Sequence, residues 1–268
     1  MKKIAACVKK DFLDTLSYRL PCFLTVCGIV LVLVILYFLP HSFVKRSFVL
    51  NPEGIRITYF NFILSGLMLS MYLVSPFAAF SAQIQKIRTI GILEALLVTP
   101  TRFITILAAQ YIGYFLFASI INIPILLFIS YCLKDLVVSP NIFAIAIIFT
   151  LSFILFGAFS IFIASFIIVF EDGKPITKAI IGCLRICGNI YFPVTILPKS
   201  LQMFAYSLPF SHIFRAFRMA LFANYTLWDI APYILILLAF ALVLFPLSVW
   251  SLNCALRKAK ERGTLAKY

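Results

Sequence analysis

Apolar residues run in long stretches along this chain, with polar positions gathered mainly between them. A bilayer core takes about 20 apolar residues of α-helix to cross. Six stretches reach that length: residues 20–39, 58–83, 103–133, 141–170, 175–197 and 230–252. Residues 1–19 follow a different pattern. Ile4, Val8, Phe12 and Leu16 recur every fourth position beside Lys2, Lys3, Lys9 and Lys10, which predicts an amphipathic helix lying on the membrane surface. A cleavable leader fits poorly, because the apolar run begins only near Leu20 and lacks a small-residue cleavage site.

Two inter-span segments are more than loops. In residues 84–100, Ile87, Ile90, Leu93 and Leu97 mark one helical face and Pro100 stops the pattern, predicting a helix across the membrane plane. Residues 198–224 hold Leu201, Phe204, Leu208, Phe210, Ile213, Phe214 and Phe217, too apolar for a solvated loop. Pro209 and Ser211, the latter as N-cap, divide this segment into two short half-inserted helices. The expected fold is therefore an all-α integral membrane protein. It has six transmembrane helices within 20–252, an interfacial helix at 1–19, a cytosolic surface helix, short extracytoplasmic re-entrant helices and a basic tail at 253–268.

Composition removes the soluble alternative: 63% of the 268 residues are hydrophobic and 12% charged, with mean hydropathy +1.09, against about 45–50% and 25% in soluble domains. The net charge of +14 comes from Lys and Arg between the spans. Fifteen fall on the side of the termini and seven on the other, which predicts both termini in the cytosol of an inner (plasma) membrane protein. No basic groove or soluble domain remains for nucleic acid. The seven cysteines contain no C-x-x-C pair, and Cys183 and Cys187, sharing a helix face, read as packing residues. His41 and His212 are too isolated for a metal site.

Charge placement also tests mechanism. All nine carboxylates lie at span ends or in loops, whereas ion-driven carriers use intramembrane carboxylates. No nucleophile, base and metal cluster together as an enzyme requires, and no Gly-rich filter suggests a channel. Arg185 stands out near the middle of the fifth stretch, where a charge costs about 2.5–3.5 kcal/mol. Lys178, Gly182, Arg185 and Asn189 follow one helical stripe. That stripe either faces a translocation pathway or makes a dimer contact with Arg185 paired or snorkelling. Arg215 and Arg218 read as membrane-surface anchors, and Asn61, Gln110 and Asn122 as helix–helix hydrogen bonders.

The run Gly91-Ile92-Leu93-Glu94-Ala95-Leu96-Leu97-Val98-Thr99-Pro100 resembles the G-T-L-E-x-L-L-x-T-P element of type-2 permease subunits of ATP-binding-cassette (ABC) transporters. Tyr191-Phe192-Pro193 with Leu197-Pro198, then Leu208-Pro209-Phe210-Ser211-His212 up to Arg218, resemble two further elements of that family, and the tail Arg262-Gly263-Thr264-Leu265 with Tyr268 fits its ending. Ile92 and Gln85 depart from the pattern, and the start lacks the R-Y-K-x-S-x-L-G of polysaccharide exporters. The resemblance implies a non-catalytic subunit that pairs with a second permease chain and docks on separate ATPase chains. ATP would be bound by those partners, since no G-x-x-x-x-G-K-[ST] occurs here. Gly91, Leu93, Glu94, Leu96, Leu97, Thr99 and Pro100 would form the coupling contact, with Glu94 its charged group and Gly91 allowing close approach. Lys178, Gly182, Arg185 and Asn189 would line the pathway, and Tyr191, Phe192 and Pro193 an outer gate. Export of a lipid-like, drug-like or other hydrophobic substrate is the expected activity, and a carrier or membrane scaffold not driven by ATP is the alternative.

Overall fold

A computed structural model describes residues 27–28, 48–50, 56–91, 96, 99, 102–132, 141–169, 173–222 and 227–261. The expected surface helix at 1–19, nearly all of the first stretch and the tail beyond 261 lie outside these residues. Two short strands, β1 (Phe48–Leu50) and β2 (Arg56–Thr58), pair antiparallel with Val49 opposite Ile57. Among the described residues every other regular element is helical, as expected; Phe-Val-Leu and Arg-Ile-Thr, rich in β-branched and aromatic residues, favour a pleated strand locally.

The helices are α1 (Tyr59–Thr89), α2 (Phe103–Cys132), α3 (Ile142–Val169), α4 (Gly173–Cys187), α5 (Lys199–Ser207), α6 (Pro209–Phe222) and α7 (Leu227–Glu261), with a 3₁₀ turn at Val194–Ile196. Among the described residues, four helices are long and apolar enough to cross a membrane: α1, α2, α3 and α7. They correspond to the stretches expected at 58–83, 103–133, 141–170 and 230–252.

The fifth stretch does not form one helix. α4 has 15 residues, about 22 Å at 1.5 Å per residue, short of the ~30 Å hydrocarbon core. Its end is set by backbone chemistry: the Gly188 N–H reaches the Leu184 carbonyl at 2.9 Å, and Asn189 turns left-handed at φ 62°, a conformation that terminates helices and that Asn tolerates. Hydropathy alone carries the pattern on to Leu197 and overrides this stop signal.

α3 and α7 pack along much of their length, and α1 lies against α2 and α3, with α6 bridging α3 and α7. In lipid such burial stabilises through close packing rather than transfer from water. Rings supply much of it. Phe77 stacks on Phe159 at 5.6 Å, Phe159 meets Phe210 at 5.1 Å, and Tyr111 contacts both Phe80 and Phe153; pairs of this kind contribute about 0.5–1.5 kcal/mol each. Gly157 lies against the Tyr111 ring, where a Cβ would come within 3.1 Å. Asn141 caps α3, its Oδ1 accepting from the Ala144 N–H at 3.2 Å. Pro76 sits inside α1, and Pro232 and Pro246 inside α7.

Candidate functional site

The sequence places its candidate coupling residues just beyond α1. That helix runs unbroken through Thr89, so residues 84–89 belong to it and not to a separate helix across the membrane plane. Ile84 and Ile87 explain the difference: both are buried in the core, and no Gly or Pro lies between Pro76 and Gly91. The turn comes at Gly91, whose N–H bonds the Arg88 carbonyl at 3.0 Å and whose φ is 75°. Glycine, lacking a Cβ, adopts that angle at no steric cost. Leu96 packs against the core, and the exposed Thr99 returns both its N–H and its hydroxyl to the Leu96 carbonyl. Leu93, Glu94, Leu97 and Pro100 lie outside the described residues.

The last turns of α1 are tied to two other helices. Arg88 donates to the carbonyl of Ile167 at 2.8 Å. That carbonyl belongs to the last turn of α3, where backbone acceptors lack helical partners and a cation also meets the negative end of the helix dipole. A hydrogen bond from a charged donor of this kind is worth about 1.5–3 kcal/mol. Gln85 donates to the Thr177 hydroxyl in the first turns of α4 at 3.3 Å. The Gly91 turn is therefore fastened within a few residues to α3 and α4.

The opposite end of α1 holds the least expected group. Arg218 on α6 is 2% exposed, not a surface anchor. Its Nε donates to the Ser65 hydroxyl at 3.2 Å, and its Nη2 donates to the carbonyls of Phe62 at 3.0 Å and Ile190 at 3.3 Å. Its guanidinium lies 3.7 Å from the centre of the Phe62 ring, a cation–π contact strengthened by desolvation. One side chain thus joins α1, the turn after α4, and α6. The signal was present in the sequence: Phe214 and Phe222 stand four residues either side of Arg218, so it shares their inward face. Arg215 differs, being half-buried and 5.3 Å from the Tyr233 ring. Ser211 does not cap α6, which begins at Pro209; its hydroxyl lies 2.7 Å from the carbonyls of both Cys187 and Ala205.

The expected polar stripe is divided. Lys178 and Arg185 are exposed on α4, with Gly182 half-buried between them, whereas Thr177, Leu184 and Cys187 face inward. Asn189 leaves the stripe, since the left-handed turn takes it out of helical register and buries it. Tyr191 and Phe192 are half-buried and Pro193 buried, in the irregular segment between α4 and the 3₁₀ turn. Asn122 forms the helix–helix bond expected of it, donating to the Met71 carbonyl at 3.3 Å. Among the described residues, no His, Cys, Asp and Glu gather as a metal site would need.

A model of the ABC-2 type transporter family matches residues 2–222. The chain belongs to the ABC-2 type transporter family. No curated protein matches it. An ABC-2 permease is the membrane component of an ABC transporter and works with ABC ATPase subunits. This permease subunit is accordingly a multi-pass membrane protein. The match takes in α1 to α6, including the Gly91 turn and the Arg218 cluster.

Proposed function

We propose that this ABC-2 permease exports a lipid-like, drug-like or other hydrophobic substrate as one of two permease chains, driven by ATP that partner subunits bind and hydrolyse. It crosses the inner (plasma) membrane six times with both termini cytoplasmic, the fifth crossing made by α4 together with the irregular segment that follows it, and α5 and α6 re-enter from the outer side. The segment from Gly91 to Pro100 is the coupling contact with the ATPase, Glu94 supplying its charge and Leu93, Leu96, Leu97 and Thr99 its surface. The observation carrying this reading is the fastening of α1 beside Gly91 to both α3 and α4. A displacement imposed on the turn reaches two further helices through one carbonyl and one hydroxyl.

The exposed cations of α4 support a pathway at the face between two permease chains, because Lys178 and Arg185 directed at hydrocarbon would each cost about 2.5–3.5 kcal/mol. Gly182 leaves room between them, Asn189 lies buried in the turn beyond the stripe's outer end, and Tyr191, Phe192 and Pro193 form the gate above it. Co-purification from native membranes, with stoichiometry by mass spectrometry, tests the proposal on wild type and a Glu94→Ala/Leu97→Ala double variant. Wild type is expected to bring down an ATP-binding subunit and the double variant to lose it. A wild-type chain that purifies free of any ATPase in mild detergent supports the carrier or scaffold alternative instead.

A further inference from the structure

A cavity of about 20 Å³ lies among the turn after α4, the 3₁₀ turn, α5 and α6. That is room for one water-sized group. Asn189, Thr195, Ser211, His212, Arg215 and Arg218 contribute to its lining, and no carboxylate does. Three buried polar atoms of this lining have no hydrogen-bond partner among the protein groups: Asn189 Oδ1, His212 Nδ1 and Arg218 Nη1. Arg218 is 2% and Asn189 9% exposed. Buried polar atoms left unpaired are rare and costly, and three of them on residues that line one small cavity call for a partner there.

The donor and acceptor roles identify the occupant. Arg218 Nη1 can only donate. His212 Nε2 lies 2.9 Å from the Tyr206 carbonyl and must donate to it, which leaves Nδ1 of the neutral ring as an acceptor. Asn189 Oδ1 accepts. One donor and two acceptors around a site of this size complement a single water, which offers a lone pair and two O–H groups. An anion would face two acceptors, and a metal cation would face a guanidinium.

We infer that this cavity is a binding site for one structural water bridging Asn189, His212 and Arg218. The water completes the Arg218 cluster and joins the end of α4 to α6, where Asn189 Oδ1 and His212 Nδ1 make no direct hydrogen bond. Such a joint can part and re-form at little cost, because water outside replaces each bond it gives up. This inference stands apart from the proposed export function.

The test is a double-variant cycle on the full-length permease in detergent, using Asn189→Gly, which keeps the left-handed turn, and His212→Phe. A shared water makes the two positions interdependent. A substitution that lowers the folded-to-unfolded ratio about tenfold alone should lower it less than about threefold once the other is present. Additive losses overturn the inference. A density map of the permease should show one peak within about 3.2 Å of all three atoms, and a map without it overturns the inference even if the variants couple. A melting midpoint that rises in chloride over gluconate at equal ionic strength, and does so only with Asn189 and His212 intact, would assign the site to an anion and overturn it too.

Discussion

Gly66 is where α1, the turn after α4 and Arg218 crowd together most closely. A Cβ there would collide with the Ile190 carbonyl oxygen and come within 2.7 Å of Arg218 Nη2. Alanine normally stabilises a helix interior by up to ~1 kcal/mol over glycine. Here the collision is with a backbone atom held by Arg218, so overpacking outweighs propensity. Gly66→Ala is expected to destabilise the protein by about 1–3 kcal/mol, read as a lower midpoint in a detergent melt; an unchanged or raised midpoint would contradict the packing described. At this scale the sequence is an uneven guide. Asn122 is readable as a helix–helix hydrogen bonder because a polar amide within a span has few other uses. Arg218 is misread as an anchor because its partners, a hydroxyl and two carbonyls, come from residues 28 to 156 positions away, and backbone acceptors leave no trace in composition.

α1 illustrates why elements are more legible than side chains, and where that fails. Its existence follows from a long apolar run, but its end does not: charged Lys86 and Arg88 suggest a boundary that the helix passes through. α4 fails in the opposite sense, since the Gly188-Asn189 stop lies inside an apolar run and the helix halts there. The tie from Arg88 to α3 gives a prediction that separates coupling from assembly. Arg88→Ala removes a charge-assisted bond, about 1.5–3 kcal/mol, without altering residues 91–100. ATPase recovery on purification should remain near wild type, while substrate-stimulated ATP hydrolysis in reconstituted vesicles falls several-fold. Loss of both together would assign Arg88 to folding alone.

For the whole molecule, the bilayer can be located by its tryptophans. The chain has two, and both lie on α7, Trp228 at 87% and Trp250 at 65% exposure. Twenty-two residues apart, they are separated by about 33 Å along the helix, close to the hydrocarbon thickness, and tryptophan favours the two interfaces. Single-tryptophan proteins, Trp228→Phe and Trp250→Phe, should each be quenched most by lipid probes near the headgroups. Strongest quenching from the bilayer centre in either would refute this placement. The membrane class was legible from composition because no water-facing surface could be so apolar, whereas the β1–β2 pairing depends on local strand preference within a mostly helical chain. One mechanical consequence follows from α1, pinned by Arg218 near Phe62 and by Arg88 at Ile167, with Pro76 about midway. Proline removes a rung of the helical ladder and makes that point the softest. A rod held at both tips and softened in the middle yields by bowing, so a thrust at Gly91 displaces the centre of the membrane section sideways more than it moves either end.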